Sequence, residues 1–293
     1  MKTPYPVDVV PLLQQFLGRR RTKLDHPLRA MEELGIDRPA FLRAMTLSEA
    51  APDGATIDDL LFPYSTRAEM VRGMLAAGEG AGLVEERNGR FHATAKARDH
   101  ARRLRVAARA HLESLEPIPL NELARLADHL ERAFLASAAA SPQVPHAHTP
   151  RAFRYRAENG STHPMVVLDN AVYGLWMVRD DCHVAAWHGR DLRGPDLNVL
   201  TYLWRGEAET PEGLASLLGH DTRARVDAAL VELQARGLVE PEDPLRLTRR
   251  GRSERDRIET DTDRFFFEPW PDDVGAEGSW IRDRLSGVNA ALA

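Results

Sequence analysis

Two stretches of this chain open alike. "GLVEERNGRFHATAKAR" begins at Gly82 and "GLVEPEDPLRLTRRGR" begins at Gly237. Each starts Gly-Leu-Val-Glu, crosses a short polar segment and reaches a Thr followed by basic residues. The echo continues upstream. "PAFLRAMTL" from Pro39 answers "PDLNVLTYL" from Pro195, and "TIDDL" from Thr56 answers "TPEGL" from Thr210. "STRAEMVRGML" from Ser65 answers "DTRARVDAALV" from Asp221. The offset stays within 154 to 156 residues throughout, which a chance echo would not do. A period far longer than a solenoid unit means two domains rather than an array. The expectation is an internal duplication whose first copy is the more diverged.

The second copy is the easier to read. Val166 to His188 predicts a long amphipathic helix, broken by the glycines and proline of "GRDLRGPD". "LNVLTYLW" (197–204) predicts a second helix ending at Arg205-Gly206. Thr210, followed by Pro211 and Glu212, caps a third. Asp221 or Thr222 caps a fourth, whose apolar Val226, Leu230 and Leu233 fall at i, i+4 and i+7, with Gly237 as its C-terminal stop. "LVEPEDPLRLT" reads as a small hairpin, and after "RRGR" a last helix runs to Pro269. Helix, helix, turn, helix, two-stranded wing, helix is the winged helix-turn-helix plan.

The phrases "LVELQARGLVE" and "LTRRGR" within residues 166–265 resemble the MarR-type family of bacterial regulators. That resemblance implies a homodimer-like architecture in which each recognition helix enters a major groove. Two copies in one chain leave two arrangements open: an intrachain pseudo-dimer, or one copy on DNA and the other pairing with a second chain. The expected fold is mainly α with small β-wings, as tandem winged helix-turn-helix domains joined by helices. Its divisions are a diverged winged domain over 1–110, linking helices and a Pro-rich linker over 111–165, and the MarR-like domain with its C-terminal helix over 166–293. Within the middle segment, one helix from about Asn121 to Ala139 and a short hairpin around Asn159-Gly160 are expected.

The function expected is a DNA-binding transcriptional regulator, responsive on the family's pattern to a small hydrophobic or aromatic ligand. A recognition helix presents donors near its N-terminus, and a wing grips phosphates. In the second copy those places hold Thr222, Arg223 and Arg225, then Arg246, Arg249 and Arg250. In the first they hold Ser65, Thr66 and Arg67, then Arg90 and Lys96. The net charge of −5 supplies no global field for nucleic acid, so binding must come from such local patches. Residues 205–258 come out slightly negative and 56–110 slightly positive.

An aromatic-lined pocket between the winged domains and the linking helices would draw on Tyr173, Trp176, Trp187 and Phe266, with Arg179 or His183 orienting an anionic ligand. The structural alternative is that these rings are core. A repurposed winged-helix protein that binds or transforms a small molecule there is the rival function, with a winged-helix DNA repair protein third.

No Gly-rich phosphate loop, nucleophile elbow or paired-carboxylate motif appears, and no cofactor is expected. Asp180 and His183 share a helix face but lack the third and fourth ligands of a metal site, so none is expected. The single cysteine, Cys182, excludes an internal disulfide and reads as an inert, half-buried thiol in a cytoplasmic protein. No apolar run approaches the roughly 20 residues of a membrane span.

Overall fold

The computed structural model describes residues 5–24, 26–50, 53–61, 67–219 and 222–293. It is mostly helical, with one two-stranded antiparallel sheet among those residues. Three hydrophobic clusters organise it.

The first cluster is the shared helical core. It joins α1 (Val10–Arg19), α6 (Leu120–Ala139), α8 (Pro164–His188), the end of α12 (Arg249–Phe267) and α14 (Gly278–Ala291). Helix α8 is its axis. The run from Pro164 to Val178 has one charged residue, Asp169, and its apolar side chains occupy every face. A helix that is apolar all round belongs inside. The expected amphipathic helix is therefore corrected to a core helix, and residues as far apart as Met165, Val172 and Cys182 have no exposure. Helix α1 packs here, with α14, rather than with the elements that follow it. Arg19 Nη1 donates to the Asn289 carbonyl at 2.7 Å, and Asn289 Nδ2 donates to the Leu12 carbonyl at 3.0 Å.

The second and third clusters are two regions built alike. The first region runs through α2 (His26–Leu34), α3 (Arg38–Ala50), a 3-10 turn at Asp58–Leu60, α4 (Ala68–Gly80), strands β1 (Val84–Arg87) and β2 (Arg90–Ala93), and α5 (Ala95–Glu113). The later region runs through α9 (Gly194–Arg205), α10 (Pro211–Leu217), α11 (Arg223–Ala235), a bridge between Val239 and Leu247, and α12.

Local bonds recur between them. Gly82 and Gly237 both have positive φ, near +69° and +67°, and turn the chain out of α4 and α11. Thr94 Oγ1 donates to the Gly82 carbonyl at 2.8 Å, and Thr248 Oγ1 to the Gly237 carbonyl at 2.7 Å. The same hydroxyl oxygens accept from Ala97 and Gly251 N–H and cap α5 and α12. That cap starts α12 at Arg249, so "RRGR" is its first turn rather than a preceding loop. Ala55 bridges Phe91 in the first region, and Leu245 N–H donates to the Glu209 carbonyl in the second.

Between the regions, α7 (Thr149–Asn159) replaces the expected hairpin, and Gly160 is its left-handed C-cap. The buried carboxylate of Asp181 fixes its start, accepting from His148 N–H, Thr149 N–H and Thr149 Oγ1 at 2.7, 2.9 and 2.6 Å. Nothing local in "TPRAFRYRAEN" announces that distant cap. Beyond Pro269 two further helices, α13 (Asp272–Ala276) and α14, complete the core.

Candidate nucleic-acid interface

Helices α4 and α11 fall where the sequence reading expects the recognition helices of the two regions. On α11, Val226, Leu230 and Leu233 are buried, which leaves Thr222, Arg223, Ala224 and Arg225 exposed at its N-terminal end. Thr222 Oγ1 accepts from Arg225 N–H and caps the helix. Arg223 is held by two carboxylates: Glu212 at 2.8 Å on α10 and Asp227 at 2.7 Å one turn on. Exposed pairs of this kind are worth about 0–1 kcal/mol, so they dilute the charge without locking the side chain.

The hairpin and the start of α12 carry the freer cations. Arg246, Arg249, Arg250 and Arg252 are all exposed, and none forms an ion pair with a described residue. That stands out in a protein where most arginines are paired. Their position follows from local structure: Leu245 and Leu247 point inward, so Arg246 between them points out, and Thr248 starts the helix that presents the other three.

The first region treats its cations differently. Arg67, at the cap of α4, is half-buried. Arg90 folds back on its own region, donating to the Gly54 carbonyl at 2.7 Å beside Asp59. Lys96 Nζ donates to the Ala81 carbonyl at 2.9 Å and satisfies the end of α4, and Arg98 donates to the Ala93 carbonyl. Ser65, Thr66 and Asp221 lie outside the described residues.

The six residues expected around an aromatic pocket do not converge. Trp187 is buried in the later region's cluster, Phe266 in the shared core against Phe267 and Trp270, and Trp176 is partly buried against that core. Arg179 lies within 3.5 Å of Glu259 and 3.3 Å of Asp263 on α12. Thr262 Oγ1 donates to the Ile258 carbonyl, which leaves its oxygen to accept from His183 Nδ1 at 3.0 Å. Burial, opposed by Glu259, pushes His183 down to about 4, so its imidazole is neutral. Tyr173 is the one that lines a described cavity. The aromatic alternation on α8 thus reflects packing in two cores.

Asp180 turns to His148 at 3.0 Å while His183 turns to Thr262, so the shared face does not converge on one point. Cys182 is fully buried, and burial together with Asp181 pushes its thiol up to about 12.

Sequence reading missed a different cluster. Asp169, with no exposure, pairs with Arg20 and with Arg21 at 3.1 Å, and accepts from the Tyr155 hydroxyl. Burial alone would raise Asp169. The two guanidiniums overcome it and hold the carboxyl below the usual range. The available signal was a lone acid inside the apolar run of α8, together with the "RRR" at 19–21.

The helix-turn-helix family matches this chain over residues 76–293, from within α4 through both hairpins to α14. A match of that kind points to a DNA-binding regulator. No curated protein and no solved structure matches the chain. No helix among the described residues is long and apolar enough to cross a membrane.

Proposed function

The chain belongs to the helix-turn-helix family, and we propose that it is a MarR-like transcriptional regulator that binds duplex DNA through two duplicated winged units on one helical core. Recurrence of the same Thr–Gly bonds about 155 residues apart supports the duplication. On this reading the chain is an intrachain pseudo-dimer working in the cytoplasm. The first unit lies within 1–110, the linking segment is 111–165 and the second unit lies within 166–293, with α1 assigned to the shared core.

The observation that carries the DNA reading is the exposed set Arg246, Arg249, Arg250 and Arg252, which forms no ion pair among the described residues. A guanidinium without a protein partner is available to phosphate, and each phosphate contact releases counterions. Arg225 and Thr222 at the start of α11 then face the bases. Arg67, Arg90 and Lys96 of the first unit contribute charge from a second position.

The test is fluorescence anisotropy with DNA tiles from around the protein's own coding region at several salt concentrations. Arg249→Ala/Arg250→Ala is expected to weaken binding by about tenfold or more and to lower the slope of log K against log salt by about 2. No binding of any tile by the wild-type chain at about 50 mM salt, where phosphate contacts are strongest, sinks the proposal.

A further inference from the structure

One side of α5 carries a row of arginines. Arg98, Arg102, Arg105 and Arg109 follow one another at intervals of four, three and four residues. At 3.6 residues per turn they fall within an arc of roughly 60°, and the row is about 16 Å long. Arg98 and Arg102 are exposed, and Arg105 and Arg109 are half-buried. A groove of about 220 Å3 opens beside the last three, between α5 and the end of α7 at Glu158 and Asn159.

Acids answer only part of this charge. Asp99 lies 2.6 Å from Arg102 and 3.0 Å from Arg103, and Glu158 lies 2.9 Å from Arg105. Glu113, one turn beyond the row, accepts from the Ser161 hydroxyl at 2.7 Å. Arg98 and Arg109 donate to the Ala93 and Asn159 carbonyls, the latter at 3.3 Å. Counting Arg103 beside the row, five guanidiniums share this surface with three carboxylates, and it stays cationic with every pair discounted. Exposed pairs are weak, so their guanidiniums can turn to a stronger anion.

Helix α12 shows the same face with its signs reversed. At the offset of 154 that relates Thr94 to Thr248, Arg102, Arg105 and Arg109 correspond to Asp256, Glu259 and Asp263. Those acids are answered within the chain. Trp204 Nε1 donates to Asp256 at 2.7 Å, and Arg179 of α8 lies within 3.5 Å of Glu259 and 3.3 Å of Asp263. The later row is spent on packing the molecule together. The row on α5 borders an open groove.

A line of cations suits a linear polyanion better than a compact one. At roughly 3.4 Å of rise per phosphate along one strand of duplex DNA, a row of about 16 Å spans roughly five phosphates. The row also begins at the first hairpin, since Arg98 lies one turn after Thr94, the residue that follows β2 and caps α5. A strand that passes this hairpin meets the row next.

We propose that this face of α5 is a second track for duplex DNA, holding the backbone of the flank beyond the first unit's hairpin through Arg98, Arg102, Arg105 and Arg109. The inference rests on the regulator reading above and extends its interface past the recognition helices and wings. Phosphates are alike at every base pair, so the track adds affinity with DNA length and leaves base preference unchanged.

The test is fluorescence anisotropy of the full chain on its tightest-binding tile and on versions trimmed stepwise from either end. Removing the flank at one end is expected to weaken wild-type binding by about tenfold or more and to lower the salt slope by about 2. Arg102→Ala/Arg109→Ala is expected to show the same loss on the long duplex and to match the wild type on the trimmed one. Arg102→Lys/Arg109→Lys keeps both point charges and is expected to stay within about threefold of the wild type on either. Wild-type affinity that ignores trimming overturns the proposal and leaves the regulator in place. An equal loss in the alanine variant on both duplexes, or a lysine variant as weak as the alanine one, also overturns it, because the arginines then act through the fold. Polyglutamate in the same assay covers an acidic protein partner: binding that needs Arg102 and Arg109, in a chain indifferent to DNA length, assigns the face to protein and overturns the proposal. A chain that binds no tile removes the regulator reading and this inference together.

Discussion

Helices α5 and α12 both have 19 residues, both begin after a capping Thr and both carry six Lys or Arg. Helix α5 has two acids, Asp99 and Glu113, and α12 has five, Glu254, Asp256, Glu259, Asp261 and Asp263. Those extra acids pair α12 with α8 and the turn after it: Arg179 lies within 3.5 Å of Glu259 and 3.3 Å of Asp263, and Arg190 reaches Glu254 at 2.9 Å and Asp261 at 2.6 Å. Helix α5 lacks them, and at its junction with the core Arg20, Arg21, Arg43, Arg105 and Arg151 line a cavity of about 480 Å3. The cations nearby differ in the same way. In the first region the exposed Arg90, Lys96 and Arg98 donate to backbone carbonyls, whereas the exposed Arg246, Arg249, Arg250 and Arg252 form no ion pair with a described residue. The same backbone bonds thus hold one region whose exposed cations are engaged by its own carbonyls and another whose hairpin cations are left to solvent.

The sharpest way to break this contrast is at the two junctions. Asp169→Asn leaves two guanidiniums against a neutral amide in a buried site, and unfolding free energy is expected to fall by about 3–5 kcal/mol. Arg190→Ala at the opposite junction removes half-exposed pairs and is expected to cost about 0–1 kcal/mol. Equal losses in urea denaturation would show that the two junctions are not built differently.

Acid separates them next. His183 is neutral when folded, with its value near 4 against about 6.5 in the unfolded chain. The unfolded state therefore takes up a proton that the folded state refuses as pH drops through that window. Stability present above about pH 6.5 is lost progressively toward pH 4, by up to about 3 kcal/mol. Asp169 is held below the carboxylate range, so its contribution persists until pH falls below about 4. The later region's junction should loosen first. Asp263, whose carboxyl burial raises, titrates in the opposite sense, so the readout is the difference between wild type and His183→Gln from pH 7 to 4. An unchanged slope in His183→Gln would remove this residue as the cause.

The smallest expected differences are at the two helix starts. A Cβ on Gly251 would collide with the Leu238 carbonyl, so Gly251→Ala is expected to cost about 1–3 kcal/mol. The repeat-equivalent residue is Ala97, which already carries a Cβ. Ala97→Gly is expected to cost only about 0.5–1 kcal/mol, through backbone entropy. Thermal melts of the two single variants compare the closeness of the turns directly.

Much of the fold was legible because it rests on local chemistry. Thr210 and Thr222 cap helices where their spacing to the next apolar residues places a cap, and Gly237 turns the chain at the C-terminal stop expected for α11. Helix α6 begins and ends within a residue of its expected bounds. The errors have one origin. The Asn159-Gly160 pair looks like a hairpin turn until Asp181, in another helix, caps the segment before it. The aromatic residues of α8 look like a pocket lining until two separate cores divide them.

That the candidate cations sit at the start of α11 and around the start of α12 was legible, and their pairing was not. Sequence placed Arg223 and Arg250 on equal terms, while the fold brings Glu212 beside one and no described acid beside the other. The cavity was not legible at all, because its arginines come from four stretches between residues 20 and 151 that only the fold brings together.

By itself the sequence determined most of the helices and the caps at Thr210 and Thr222. Those depend on bonds within a few residues. The tertiary structure alone decided which guanidiniums are neutralised, which face solvent and which surround an empty space. A charge's partner is set by distance in three dimensions, and spacing along the chain carries no record of it.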